Sequence, residues 1–286
     1  MARPDGGERT ATGSPGAEKP ETEQPVATSG SIVPSSYFKD SKGLVSADLF
    51  KEHQDLIRKF ASNPKLAKSQ KALELGLAFF VKNKDGIPKE CGGAKPGEKI
   101  TNREWMVITD YTKPLDEHRQ FYLNLVTGEV KSAAAAHGYG SNKNCPEEHL
   151  FKCKRKGKIV EKCKIPAKIG DVPESGQSSS GYYLSDKGYA SGQGTFRNGT
   201  PKYKNGEINA INLEGVLSEN KNASYRKIVF HRASYVQEGT VNECSSSAGC
   251  PSTNPKIFEE MKDKLMKGAL FYSHTIKEDK EKEPKC

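Results

Sequence analysis

Hydrophobic and polar positions along this chain follow a helical period first and a strand period afterwards. In "SADLFKEHQDLIRKF", Leu49, Phe50, His53, Leu56, Ile57 and Phe60 share one helical stripe, with Ser46 placed to cap the start and Asn63-Pro64 to end it. Leu66, Leu73, Leu77, Phe80 and Val81 keep helical spacing through "KLAKSQKALELGLAFFVKN" until Asp85-Gly86 breaks it. His53, lying on the first stripe, reads as a packed residue and not as a ligand. From about residue 104 the apolar runs shorten and fill with β-branched and aromatic side chains: "EWMVITDYT", "RQFYLNLVTGEVKSAAAAHG", "GYYLSD", "AINLEG" and "YRKIVFHRASYV". Thr127-Gly128 sits where a hairpin turn is needed. A last helix is predicted in "TNPKIFEEMKDKLMKGALFYSHT", with Asn254 as N-cap, Pro255 at the first helical position, Phe258, Met261 and Leu265 on one face, and Gly268 at the end. The strand "ALFYSH" follows it. Strands and helices do not alternate regularly, so the pattern predicts a mainly β fold with flanking helices (α+β), a sandwich or barrel preceded by a small helical segment.

Composition refines the ends of this plan. Residues 1–43 are predicted to be a disordered leader or linker, because Gly, Pro, Ser, Thr and Glu dominate and large apolar side chains are scarce. Residues 44–86 form the helical segment, and "KEDKEKEPKC" within 277–286 reads as a charged, solvated tail. No apolar run is long enough to cross a bilayer, and no basic start leads into a hydrophobic signal segment, so the expectation is an intracellular protein or a mature form without its signal peptide.

Cysteine favours the mature, exported form. There are seven, at positions 91, 145, 153, 163, 244, 250 and 286, and Cys145, Cys153 and Cys163 crowd a polar, lysine-rich stretch that offers no core to hide them. Disulfides in an oxidising compartment explain this better than metal ligation, since no CxxC pair occurs, although His149 could complete a metal set. A local Cys153–Cys163 pair is preferred, and Cys286 could be the odd thiol. Lys152, Lys154, Arg155, Lys156, Lys158, Lys162, Lys164 and Lys168 concentrate part of the net charge of +9 in the same stretch. Attraction to an anionic surface or a merely solvated basic loop both account for it. No zinc finger, RNP-like motif or helix-turn-helix pattern supports nucleic-acid binding. Sequons at Asn198 and Asn222 carry weight only in a eukaryotic secretory pathway.

Chemistry is best placed between "IVFH" and "CSSSAGCPSTNP". His231 ends a strand, alternating with Phe230 so that the two face opposite sides of the sheet. Downstream, a small-residue loop ends in Gly249-Cys250, and an imidazole near a thiol can take its proton and make a nucleophile. Gly249 allows a tight turn in which the amides beside Cys250 can meet a developing oxyanion. A structural histidine and a disulfide-bonded Cys250 are the alternative reading.

The stretches "IVFHRASYV", "SSSAGCPSTNPKIFEEMKDKLMKGALFYSH", "WMVITDYTKPLDEHRQFYLNLVTGEVKSAAAAHGYGSN" and "SGQSSSGYYL" together resemble the murein L,D-transpeptidase catalytic domain, in its YkuD-like branch ending in Gly-Cys-Pro. The resemblance implies a catalytic domain over residues 100–276 with a Cys/Lys-rich insertion at about 142–172. It implies Cys250 as nucleophile, His231 as general base and acid, Gly249 as oxyanion-hole backbone and Ser247 as loop support. His137, Arg232 and Tyr235 would border the substrate. Ala248 stands where the widest motif has a second histidine, and Arg232 where a glycine is usual, which bears on the pocket wall. The reaction implied is cysteine acyl transfer on peptidoglycan tetrapeptide stems in the periplasm or cell envelope, releasing D-alanine. The acceptor would be an amine, giving 3-3 cross-links or an exchanged D-amino acid, or water, giving L,D-carboxypeptidase activity. No metal, cofactor, nucleic acid or stable membrane insertion is expected. A non-catalytic wall-binding module with Cys250 in a disulfide, and a cysteine peptidase acting on ordinary proteins, are the rival readings.

Overall fold

The computed structural model describes residues 31–40, 42–95, 97–115, 117–141, 165–190, 206–237, 240–241, 247–278, 283–284 and 286. Three α-helices and eleven strands appear among them. Helix α1 spans Ala47–Ala61, α2 Gln70–Asn83 and α3 Pro255–Leu265. Strands β1 (Trp105–Asp110), β2 (Gln120–Asn124), β3 (Val130–Ala133), β4 (Ala135–Ala136), β5 (Gly181–Tyr189) and β6 (Ala210–Gly215) precede β7 (Val229–Arg232), β8 (Val236–Gln237), β9 (Thr240–Val241), β10 (Ser252–Thr253) and β11 (Leu270–His274). Nine of these strands build one sheet in the order β3-β2-β1-β11-β5-β6-β7-β10-β4, while β8 and β9 form a separate pair.

The first and last strands of that order, β3 and β4, are neighbours in sequence, separated only by Ala134. The sheet therefore curls until its two edges are carried by one short segment, giving the nearly closed barrel or sandwich that the strand pattern predicts. Most neighbours are antiparallel, but β1 runs parallel to β11 and β7 parallel to β10.

Side-chain alternation sends the sheet's residues into two cores. Met106, Ile108, Tyr182, Leu184, Leu270 and Tyr272 face α2 and α1, whereas Trp105, Val107, Tyr183, Phe230 and Phe271 face α3 through Phe258, Met261 and Leu265. Helix α3 begins as its sequence predicts, with the Asn254 side chain accepting from the Ile257 amide at 2.9 Å and Pro255 next. Ser46 caps α1 by accepting from the Leu49 amide at 3.3 Å. His53 is buried and bonds the Glu74 carbonyl through Nε2 at 3.1 Å, a packed histidine as read.

Helix α2 is buried on nearly every side between α1 and the sheet, so Ala72 through Val81 are all covered. Gly76 makes that approach possible: a β-carbon there would stand 2.8 Å from the Met106 methyl and 3.1 Å from the Tyr272 ring. Phe79, Tyr182 and Tyr272 stack across the same interface, with centroids 3.7 and 4.5 Å apart.

Two expectations about the ends need correction. The leader expected to reach residue 43 is already packed in the thirties, where Val33, Tyr37 and Phe38 are buried. The Glu74 carboxylate accepts from the Ile32 amide at 2.7 Å and the Ser31 hydroxyl at 3.0 Å, so a few apolar side chains and one buried acid hold a segment whose composition looks unfit to fold. The tail cysteine, expected as the possible odd thiol, is joined in a disulfide to Cys91. Cys145, Cys153, Cys163 and Cys244, His149, and most of the basic cluster lie outside the described residues. Among the described residues no helix is long and apolar enough to cross a membrane, and no cluster of metal-ligating side chains occurs.

Gly76→Leu should destabilise the protein by about 1–3 kcal/mol through overpacking against β1 and β11, seen as a lower denaturation midpoint. An unchanged midpoint would mean that α2 does not dock as described. Reduction of the Cys91–Cys286 bond should cost about 2–5 kcal/mol, because it frees a long loop in the unfolded chain; parallel urea titrations with and without reductant measure it.

Candidate functional site

The histidine strand and the cysteine loop meet because β7 and β10 pair in parallel, Ser252 beside His231 and Thr253 beside Arg232. The His231 amide also donates to the Pro251 carbonyl at 3.3 Å. Cys250, two residues before Ser252, consequently lies alongside Val229. Its sulfur accepts from the Val229 amide at 3.5 Å and donates to the Lys227 carbonyl at 3.7 Å. Lys227 has φ 55°, a left-handed conformation unusual for a side-chain-bearing residue, and this turns its carbonyl into the site.

Cys250 is the free, partly accessible cysteine of the described residues. Burial pushes its thiol up from the ordinary value, while the Val229 amide, the Arg226 charge and its own amide act in the other direction. The imidazole of His231 is moved down, chiefly by burial. Its Nδ1 lies 2.9 Å from the Arg232 carbonyl, which can only accept, so Nδ1 carries the proton and Nε2 keeps the lone pair of a base. Thiol and imidazole are thus both favoured in their neutral forms. Among the described residues no hydrogen bond joins them, since the thiol rests on the Lys227 carbonyl.

Ser247 is tied into the segment that follows β4. It is buried, its carbonyl accepts from the Tyr139 amide at 3.0 Å, and it forms a parallel bridge with Gly138. Its hydroxyl accepts the Gly249 N–H at 3.3 Å. In the resting loop the Gly249 amide is thus engaged with Ser247. Gly249 itself is required by its φ of 110° and by crowding, because a β-carbon would stand 2.4 Å from the Gln177 carbonyl oxygen and 2.8 Å from Arg226 Nη2.

His137 and Arg232 lie on different sides of the cysteine loop's strand neighbours. His137 is fully buried just ahead of Gly138, whose α-carbon region touches Gly249. Arg119 Nη2 lies 2.7 Å from His137 Nδ1, and since a guanidinium only donates, the ring proton sits on Nε2. Arg119, also fully buried, donates further to the Ala135 and Lys113 carbonyls at 2.9 and 3.0 Å, fixing the segment from β4 to the site. Tyr111 meets His137 edge-on, 6.3 Å between centroids, and its buried hydroxyl has no hydrogen-bond partner among the described residues. Burial pushes that hydroxyl up to about 12. Tyr235 packs with Ala136, Ala233 and Val236 on this side. Arg232 stands on the other face of β7, as strand alternation requires, and pairs with Glu207 at 2.9 Å and with Glu259 of α3 at 2.8 Å. Its guanidinium therefore braces α3.

Sequence reading passed over Tyr111, Arg119 and Arg226. The first two lie in "DYTKPLDEHR", where an arginine buried amid so much polarity gives no periodic signal. The Arg232 carbonyl, which orients His231, is a backbone group and leaves no mark in the sequence at all.

Gly249→Ala should lower the melting temperature by several degrees, a cost of about 1–3 kcal/mol from the strained φ and the fixed Gln177 carbonyl, and change the rate of Cys250 alkylation severalfold. An alanine variant equal to the parent in both would remove the steric argument.

A family model described as L,D-transpeptidase catalytic domain (YkuD_2) matches residues 90–274, well over half of the chain. The match begins just before Cys91 and ends at the last residue of β11, so it spans the whole nine-stranded sheet and α3. No curated protein matches the chain.

Proposed function

The chain belongs to the L,D-transpeptidase catalytic-domain family, and on that premise we propose that it is a peptidoglycan L,D-transpeptidase working through a Cys250 acyl-enzyme. The observation that carries this reading is the state of Cys250. It is an unpaired thiol on a loop laddered to the strand of a histidine whose Nε2 is free to act as base. A wall-binding module with Cys250 locked in a disulfide is not supported by that free thiol.

In the reaction proposed, the stem peptide's carbonyl between the L-centre of the diamino acid and the terminal D-alanine lies over Cys250. The thiol swings from the Lys227 carbonyl toward His231, whose Nε2 takes its proton as the S–C bond forms. The tetrahedral oxyanion is met by the Cys250 amide. The C–N bond then breaks, the D-alanine amine leaves with the proton held by His231, and a thioester remains. An incoming amine gives its proton to His231 and attacks the thioester, the new C–N bond forms, and the thiolate leaves and is reprotonated. Water in place of the amine yields the carboxypeptidase product. No cofactor enters these steps. Tyr235 is proposed to line the approach to the loop, and the buried His137 to hold the segment that bounds it. The Cys91–Cys286 disulfide supports an oxidising, envelope location for this chemistry.

Purified protein incubated with tetrapeptide muropeptides should release D-alanine and, with an amine acceptor, form a 3-3 linked dimer. Cys250→Ala should abolish both, and His231→Gln should lower turnover by about 10²–10⁴-fold. A Cys250→Ala variant that still released D-alanine would remove the cysteine from the mechanism.

The pH profile follows from two opposite displacements. With His231 moved down, the base is lost only as pH falls below about 6.5, the ordinary histidine value. With Cys250 moved up, the proton needed by the leaving amine is lost only above about 8.5. Turnover should therefore show a broad neutral plateau with limbs outside this window, and the midpoints belong to the pair. A maximum confined to a narrow band near pH 7 would contradict it.

A further inference from the structure

The proposed reaction uses no arginine, yet one lies buried against its nucleophile loop. The Arg226 side chain is only 3% exposed, and its ion-pair partner Asp171 is 9% exposed. Nη1 donates to Asp171 Oδ1 at 3.0 Å, to Ser179 Oγ at 2.6 Å and to the Gly170 carbonyl at 3.2 Å. Nη2 donates to the Gln177 carbonyl and lies beside Gly249, within 2.8 Å of where a β-carbon would stand. One guanidinium thus gathers residues 170 to 179 and lays them under the turn that presents Cys250.

The backbone that follows completes the arrangement. Lys227 supplies the carbonyl that accepts the thiol's hydrogen bond, and Val229 the amide that donates to the sulfur. Residues 226 to 229 therefore grip the loop from below with a charge and hold the sulfur with two backbone groups. Asp171 does not wholly cancel that charge, because its second oxygen is committed to the Asn222 amide at 2.7 Å and Nη2 turns away from it toward Gly249.

We propose that Arg226 is a positioning residue for Cys250: its guanidinium locks the 170–179 segment beneath Gly249 and holds a fixed positive charge against the turn that presents the thiol, favouring the thiolate. The meaning of this for catalysis rests on Cys250 being the nucleophile. The other groups around the thiol cannot substitute for the arginine. Tyr111 is held uncharged by burial, His231 favours its neutral form, Asp171 is negative, and the Lys227 side chain is exposed to solvent. Among the charges acting on Cys250, that of Arg226 opposes the effect of burial.

The test is the pH dependence of iodoacetamide alkylation, with the adduct mapped to Cys250, in the full chain and in Arg226→Gln, Arg226→Lys and Asp171→Asn variants. This reads thiol ionisation directly and needs no muropeptide, so it fails or succeeds independently of the transpeptidase reading. Arg226→Gln should raise the midpoint by about one pH unit and slow alkylation about tenfold at neutral pH. Arg226→Lys should recover most of the charge effect while losing thermal stability, since an ammonium cannot make the forked contacts. Asp171→Asn should shift the midpoint the opposite way, by removing the counter-charge. A merely structural arginine would lower melting temperatures and leave every midpoint where it was, which would overturn the proposal. Should Arg226→Gln not fold, an unshifted midpoint in Asp171→Asn would overturn it alone.

Discussion

Strand β10 is two residues long and has no free side: Ser252 and Thr253 pair in parallel with β7 and antiparallel with β4. Everything that acts in this protein is referred to that short ladder. On one side it sets the cysteine loop against the histidine strand, and on the other it joins the two ends of the curled sheet through the segment that carries His137. If the register slipped by a single residue, Cys250 would no longer lie beside Val229 and the side chains of β7 would exchange faces. The buried Ser252 and Thr253, the Tyr122 hydroxyl on Thr253 at 3.0 Å, and the N-cap of α3 one residue later pin the ladder from three directions.

Those constraints explain why the site tolerates so much burial of polar groups. Arg119 and Arg226 are both enclosed, Arg119 among two carbonyls and the His137 ring, Arg226 among two carbonyls, a hydroxyl and a carboxylate. A guanidinium removed from water without such partners would cost several kcal/mol. Here the two arginines anchor the two flanks of the cysteine loop, Arg119 through His137 and Gly138, Arg226 through Gln177 and Gly249. The loop is held by charges whose geometry is set elsewhere in the sheet, so its small residues need little rigidity of their own.

Much of this plan was legible in the sequence, and the parts that were not share a reason. The caps at Ser46 and Asn254, the helical stripes, the strand runs and the pairing of His231 with a downstream Gly-Cys all depend on neighbours in the chain, so period and spacing reveal them. The parallel registers of β1 with β11 and β7 with β10 depend on residues far apart, and strand patterns are the same for either direction of pairing. The disulfide from Cys91 to Cys286 crosses 195 residues and has no local signature. The burial of Val33, Tyr37 and Phe38 was hidden because three apolar residues in a polar stretch make no period. The face of Arg232 was readable from alternation with His231, and only the resemblance drew it toward the substrate.

The same long disulfide gives the domain a property that its sheet alone would not. Cys91 stands at the start of the matched region and Cys286 beyond its end, so the backbone between them is a covalently closed ring. A protease that cuts any one surface loop in this interval produces two fragments that remain joined. The cut chain can keep β10 between β7 and β4 without having to find its partner again from solution. A single cut in this interval would in this way cost the chain its continuity before its shape.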